Sequence, residues 1–406
     1  MLTSTLMRFS GDMQANFVNE QAQAWMDARE DAEIEILAPH DVAALPFEDH
    51  GRLRITRFRY FKPDRFQKLA YPAIMPNIKR APLLALQLPP FLLAQYRTAL
   101  RLVRERRIDL IYAHWVAPQG LVAWWLHRRL GLPYILQNHS SDLSVFEKLG
   151  APGRLIVRLL LRDCSRFFCV NSSQLAYARS LVPEEERADF DAKALSRPMG
   201  LVRPAERVAA SGSPQWDIAT MARLTRKKGL HYLLEAAERL AAKGIRPRIG
   251  IAGDGEDRAE LEAIVHKADV TFTGFLSGES KEAFLASARR HAFPAKASGN
   301  DREGMPVALL EALARGQPVL ASRDTNIEML PEWNQLEPLV TFLADPSDVA
   351  ALEAALENLL DSDPGITAAS ARIVAHYHWD ALIEEYLEPI ESLFARIPTR
   401  DTRSDE

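Results

Sequence analysis

Two glutamates, two histidines and a cluster of cations are the side chains through which this sequence can do chemistry. Glu303 and Glu311 bracket Gly304-Met305-Pro306, just after the turn-forming Ser298-Gly299-Asn300-Asp301. Pro306 suits the first turn of a helix, where its missing N–H would have no partner. The N–H groups of Gly304 and Met305, with the positive end of a helix dipole behind them, make an anion site. Carboxylates repel phosphate, so Glu303 and Glu311 need another kind of donor, and sugar hydroxyls are natural ones. Spacing alone equally allows a helix-terminal charge and a solvated glutamate. Residues 223–229, RLTRKKG, follow a strand-like run and offer Arg223 and Lys228 to an anion; a solvated loop is the plain alternative. His114 and His139 each close a strand-like run, and either alone reads as a capping histidine.

These groups act together only if strand ends converge. Phe293 and Pro294 close one short apolar run. Val307, Leu310, Leu313 and Ala314 then recur at helical spacing, Gly316 and Pro318 stop that helix, and 319–321 is the next strand. Strand, glycine-containing loop, helix and strand put the helix N-terminus at a strand end, where an open parallel sheet binds ligands. Further strands are expected at 34–37, 52–60, 109–113, 133–136, 167–170, 218–222, 248–252, 270–274 and 339–343. Helices are expected at 17–26 and 380–395. The opening residues 1–6 are β-like and lead to Gly11-Asp12; His139 leads to Asp142; Asn171-Ser172-Ser173 caps a helix. Gly253-Asp254-Gly255-Glu256 lacks the third glycine of a dinucleotide fingerprint, and Phe275-Leu276 follows the strand at 270–274.

The chain has 406 residues, enough for two or three domains, with 26% charged and 47% hydrophobic residues, as in a soluble globular protein. No apolar run approaches the length of a membrane span; the richest, 83–94, is broken by Pro89-Pro90. The N-terminus lacks a secretory signal pattern. Cys164 and Cys169 have neither metal nor redox spacing, which fits a reducing cytoplasm. Residues 1–200 carry 27 Lys and Arg against 21 Asp and Glu, whereas 201–406 carry 23 against 33. A basic first half suits an anionic partner, although chance asymmetry reads the same way. The tract 77–107, with Lys79, Arg80, Arg101 and Arg104, suits peripheral contact with an anionic membrane or a solvated crossover helix. Residues 52–60 alternate basic and apolar side chains, but no nucleic-acid-binding motif accompanies them.

Glu303-Gly304-Met305-Pro306 followed by Glu311-Ala312-Leu313-Ala314-Arg315-Gly316-Gln317-Pro318-Val319 resembles the E-x7-E signature of retaining family 4 glycosyltransferases. The resemblance implies the GT-B architecture: two facing Rossmann-like α/β domains with parallel sheets and a C-terminal crossover helix. It also implies a nucleoside-diphosphate sugar as donor substrate, no cofactor, and a glycan or lipid-linked acceptor. In those terms Glu303 contacts the donor sugar, Gly304 and Met305 hold the diphosphate, and Glu311 binds the ribose. Residues 222–229 resemble the family's G-R-L-x3-K-G, with Ala222 in place of its glycine, so Arg223 and Lys228 would meet the diphosphate. His114 and His139 fall in segments similar to the family's HAHW and HGSD, and His139 takes the position tied to catalysis. Ser140 stands where the family has glycine. Gly253 and Gly255 resemble the GDGP turn, Leu276 lies where the backbone reads the base, and Gly11, Asp12, His114 and Asp142 fall on the acceptor side. Thr325-Asn326-Ile327-Glu328 replaces the family's GIPE. The opening strand is shorter than the family's, which leaves a true N-terminus upstream as an expectation.

The implied partition is an acceptor domain at 1–200, a linker at 201–216 and a donor domain at 217–378. A returning helix at 379–396 and a disordered tail at 397–406 complete it. Asp361-Ser362-Asp363, beside Pro364-Gly365, reads as a solvated turn rather than a metal site, so no metal is expected. The expected location is the cytoplasm, peripheral to the inner face of the membrane. Two rivals stand beside a transferase: a nucleotide-sugar epimerase on the same fold, and an inactive homologue acting as a partner protein.

Overall fold

Runs such as Ile34–Pro39 and Tyr134–Asn138 are buried along their whole length, the pattern of a parallel sheet covered on both faces. The computed structural model describes residues 1–9, 11–12, 16–139, 142–147, 149–202, 214–297, 303–336, 339–363, 365 and 368–395. The expected turn at 298–301, Ser140, most of the linker, Pro364 and the tail from 396 lie outside these residues.

The first half contains α1 (Phe17–Ala28), β1 (Ile34–Pro39), β2 (Phe47–His50), β3 (Leu53–Phe58), α2 (Ile74–Arg80), α3 (Leu88–Arg106) and β4 (Ile111–His114). It continues with α4 (Leu121–Leu130), β5 (Tyr134–Asn138), α5 (Ser144–Glu147), α6 (Gly150–Asp163), β6 (Arg166–Cys169), α7 (Ser172–Ser180), α8 (Arg187–Asp191) and β7 (Ala194–Ser196). Strands β1 and β3 pair in parallel, as do β4 through β7, while β2 runs antiparallel on the outer edge of β3. The opening residues join these groups: Leu2 bridges Leu37 on one side and Ala113 on the other. The β-like run at 1–6 thus lies mid-sheet, although only Leu2 forms a ladder pair. The crossover helix α3 buries Phe91, Gln95, Ala99 and Leu102 against this core.

The second half contains β8 (Ile218–Met221), α9 (Leu230–Ala242), β9 (Ile249–Ala252), α10 (Arg258–Ile264), β10 (Val270–Gly274), α11 (Gly278–Ala286), β11 (His291–Phe293) and α12 (Val307–Ala314). After these come β12 (Val319–Ser322), α13 (Trp333–Leu336), β13 (Val340–Leu343), α14 (Val349–Asp361), α15 (Ala368–Tyr377) and α16 (Trp379–Phe394). Six parallel strands form one sheet in the order β10-β9-β8-β11-β12-β13. Strand order reverses between β8 and β11, and in the first sheet between the opening residues and β4. Crevices at the carboxyl ends of such switch points are where ligands bind in open α/β sheets.

The chain crosses between the halves twice, side by side. Leu201 N–H donates to Tyr377 O at 2.7 Å, and Trp379 N–H donates to Leu201 O at 3.0 Å. Beyond this crossing, α16 lays Trp379, Leu382, Ile383, Tyr386 and Ile390 against Tyr112, Ile135 and Phe168 of the first sheet. Arg29, capping the C-terminus of α1, clamps α16 through Glu384 at 2.8 Å and Glu391 at 2.5 Å. Trp216, at the other end of the expected linker, is buried with Phe284 and Leu285 in the second half's core.

Candidate active site

Glycine geometry shapes the second half's edge. Gly229 has φ +66°, and a β-carbon there would lie 1.8 Å from Pro294 O, so the basic loop sits directly on the end of β11. Gly253, at φ +130°, is packed so that a β-carbon would lie 1.9 Å from Ala222 O, and one on Gly255 would lie 2.2 Å from Leu224 O. The Gly253-Asp254-Gly255-Glu256 turn is thereby pressed against the backbone that carries Arg223. These contacts bring together segments remote in sequence. Lys228 Nζ lies 2.6 Å from Glu303 Oε2, and Arg223 Nη2 lies 3.3 Å from Glu256 Oε2. Burial by itself would raise the Glu303 pKa. Lys228, Lys227 and the Gly304 N–H outweigh it and hold the carboxyl below its ordinary value.

Helix α12 starts directly after Pro306, which takes the N-cap position. Its expected apolar stripe is too narrow: Ala308, Leu309 and Ala312 are buried with Leu310 and Leu313. Glu311 is buried too, at 5% exposure, which excludes the solvated glutamate. Its Oε1 lies 2.5 Å from Lys281 Nζ of α11, while its Oε2 is buried with no hydrogen-bond partner among the described residues. Across the crevice, α1 turns Glu20 toward this pair. Burial raises the Glu20 pKa, Lys281 opposes that rise and Glu311 adds to it. Leu276 packs at the margin of the core formed by Trp216 and Phe284. Met305 packs partly buried against the core around α12.

The first half's edge is built differently. His114, fully buried at the end of β4, places Nδ1 3.1 Å from Nε2 of His139, which follows β5. The rings of Phe17 and Trp115 stand 4.6 and 5.0 Å from that of His139. Desolvation pushes the His139 pKa down to about 3, and that of His114 well below its ordinary value. Both imidazoles are neutral near pH 7, so one ring donates to the other. Trp115 adopts φ +72°, a conformation that costs a bulky residue energy and recurs at functional sites. Asp142 is buried and accepts from Val116 N–H at 2.7 Å, fixing the loop after Trp115. Gly11, at φ +84°, precedes Asp12, whose carboxylate accepts from Arg8 N, Nε and Nη2, each at 2.8 Å.

The two edges meet at Gly304. A β-carbon there would lie 3.3 Å from Val170 Cγ2 and 3.6 Å from His139 O. The structure thus gathers Lys228, Glu303 and Gly304 opposite His139 and His114, with Glu311 deeper on the second half's side. Arg223 is on the same loop as Lys228 but is more exposed. Sequence reading missed the groups that complete the site: Phe17, Trp115, Glu20, Lys281, Ser173 and Asn326. Three carried a signal: Trp115 in the HAHW-like segment, Ser173 in the cap of a helix, and Asn326 as a departure from the family pattern.

Residues 205–373 match the family model for glycosyl transferases group 1, and residues 14–190 match that for a glycosyl transferase 4-like domain. The two matches do not overlap and take in most of the chain. It belongs to the family 4 glycosyltransferases of the GT-B fold. The family 4 chain is 32% identical over 185 residues to the amylovoran biosynthesis glycosyltransferase AmsK of Erwinia amylovora, covering 43% of this chain and 44% of that one. It is 26% identical over 310 residues to the 2-deoxystreptamine glucosyltransferase of Streptomyces kanamyceticus, covering 70% and 76%. AmsK and two further curated relatives are each matched over less than half their length, 44 to 47%. Among solved structures, sucrose-phosphate synthase from Thermosynechococcus elongatus aligns at a TM-score of 0.68 and 19% identity, over 94% of this chain and 93% of that one. At that identity the likeness speaks to the fold.

Proposed function

We propose that this chain is a retaining glycosyltransferase of the hexosyl-transferring type. Its donor is a nucleoside-diphosphate sugar, and its acceptor is a hydroxyl on a lipid-linked or cell-surface polysaccharide precursor. The observation that carries this reading is the Lys228–Glu303 ion pair beside Gly304, facing His139 across the crevice. A diphosphate entering beside Gly304 would offer Lys228 a stronger anionic partner. Glu303 would then be released to accept from sugar hydroxyls, and the same exchange would bring Arg223 away from Glu256. Negative charge developing on the leaving diphosphate would be met by Lys228, Arg223 and the Gly304 and Met305 amides, with no metal. The orphaned Oε2 of Glu311 suits a ribose hydroxyl. Gly253, Gly255 and Leu276 would shape the nucleotide side; Gly11, Asp12, His114 and Asp142 would shape the acceptor side. His139, held neutral, would hydrogen-bond rather than contribute charge. Retention follows if the acceptor attacks on the face the diphosphate leaves, with that diphosphate taking its proton.

Work at the inner face of the cytoplasmic membrane fits the surface of the first half. Leu83 and Leu86, in the turn between α2 and α3, are 80% and 73% exposed, and Lys79 and Arg80 end α2 beside them. Among the described residues no helix is long and apolar enough to cross a membrane, so contact would be peripheral. Helix α3 carries Arg101 and Arg104 roughly 20–25 Å along its axis from Leu88.

The reading is tested by incubating purified protein with UDP-, GDP- and ADP-sugars and membrane extract, with and without EDTA. Mass spectrometry of the glycolipids that accumulate on deletion identifies the acceptor. Sugar transfer that persists in EDTA is expected. An epimerised donor without acceptor would replace this reading with the epimerase, and loss of transfer on chelation, restored by Mg²⁺, would remove metal independence.

A further inference from the structure

The Asn326 side chain joins the loop Glu303-Gly304 to the opposite half of the molecule. Asn326 lies just after β12 at φ +60°, a left-handed conformation that asparagine tolerates better than other side-chain-bearing residues. Its Nδ2 donates to Gly304 O at 3.0 Å and to Glu303 O at 3.2 Å. Its Oδ1 accepts from the Ser173 hydroxyl, in the first turn of α7, at 2.9 Å. Carbonyls can only accept, so the amide orientation is fixed by its partners.

From this geometry we infer that Asn326 is a positioning residue that aims the Gly304 and Met305 amides into the crevice and ties their aim to the first half. A trans peptide plane sets its C=O and N–H on opposite sides. Pinning the Glu303 and Gly304 carbonyls on Asn326 therefore turns the N–H groups of Gly304 and Met305 the other way. The Gly304 N–H does reach the Glu303 carboxylate, on the side where Lys228 stands. A glycine here would allow the same backbone but leave both carbonyls unpinned. The ligand class is the diphosphate of the proposed donor, so the inference rests on the functional reading above.

Calorimetric titration of the full chain with UDP, GDP and ADP selects the diphosphate that wild type binds most tightly, and its parent nucleoside serves as control. Asn326→Gly keeps the left-handed backbone and removes the side chain. It should weaken the diphosphate about tenfold, or about 1.4 kcal/mol, and leave nucleoside affinity within about twofold. Asn326→Asp, which sets an acceptor against two carbonyls, should weaken it further. Ser173→Ala removes the hydroxyl's bonds across the crevice to Asn326 Oδ1 and Met329 Sδ, keeps both carbonyls pinned, and should cost less than Asn326→Gly. Unchanged diphosphate affinity in Asn326→Gly, or equal losses for diphosphate and nucleoside, would overturn the positioning role while leaving the functional reading in place. Wild type binding none of the three diphosphates would instead sink the functional reading and this inference with it.

Discussion

The two edges of the crevice solve opposite electrostatic problems. On the first half, the buried His114 and the half-buried His139 lie beside Phe17 and Trp115, and desolvation holds both neutral. On the second, Lys228 pairs with Glu303 and Lys281 with Glu311 across loops and helices, and the lysines beside Glu303 hold its carboxyl below its ordinary value. Burial penalises charge on both sides, and a cation set beside a carboxylate offsets that penalty, at Arg8 and Asp12 on the first edge and throughout the second. A paired charge can change partners when a charged ligand arrives, while a neutral aromatic wall can only shape and hydrogen-bond. The charged edge therefore suits a diphosphate and the neutral edge a hydroxyl.

The largest test of that contrast removes a paired cation. Lys228→Ala should lower transfer by on the order of 10²-fold or more at saturating donor, the scale of losing a leaving-group stabiliser. Arg223→Ala should fall in the same direction by less, because Arg223 is half exposed and its partner Glu256 is solvated. Near wild-type turnover in Lys228→Ala would erase the distinction between the edges.

Replacing Glu311, the proposed partner of the ribose, comes next. Glu311→Gln should weaken the nucleotide-sugar about tenfold, the range for a hydrogen bond to a charged group. A 2′,3′-dideoxy donor should lose nothing further in that variant. If the variant and wild type discriminate equally against the dideoxy donor, Glu311 does not read the ribose.

A third prediction concerns acid. The folded His139 pKa, about 3, lies below the ordinary value near 6.5, so the unfolded chain binds that proton more readily. Stability from this group is therefore complete above about pH 6.5 and falls as pH drops toward 3. His139→Gln should flatten the decline of the urea midpoint between pH 6.5 and 5, above the range where Glu303 protonates. An unchanged slope would show that His139 is not what makes the fold acid-sensitive.

The smallest effect is expected at the surface. Wild type should sediment with anionic liposomes at low salt and be released near 1 M, where the Debye length is about 3 Å. Leu83→Ser with Leu86→Ser, or Lys79→Ser with Arg80→Ser, should lower sedimentation several-fold and leave diphosphate affinity alone. Salt-independent sedimentation would refute electrostatic docking of the basic half.

Much of the scaffold is legible in the chain. Strands at 34–37, 133–136, 167–170 and 319–321, helix 17–26 and the helix after Pro306 all form close to the expected places. Continuous apolar runs and glycine or proline stops are local signals that buried elements require. The edge strand β2, exposed and polar at Phe47–His50, carries no such signal and went unread. Leu2 pairs on both sides although its neighbours form no ladder, because its place depends on β1 and β4 arriving around it.

The sequence by itself determined which residues could act: the glutamates around Gly304, the cations at 223–228 and the histidines at strand ends, each marked by its type and local context. Tertiary structure alone decided their partners and charge states. Lys228 meets Glu303 because Gly229 lets one loop rest on Pro294. Glu311 is buried because α12 is covered on nearly every side. His139 is neutral because Phe17 arrives from another helix, and Asn326 finds Ser173 because two halves close on each other. Periodicity and turn chemistry act over a few residues and can be read in order. Desolvation and pairing depend on what surrounds a group in space, and that is fixed only once the strands have taken their order in the sheets.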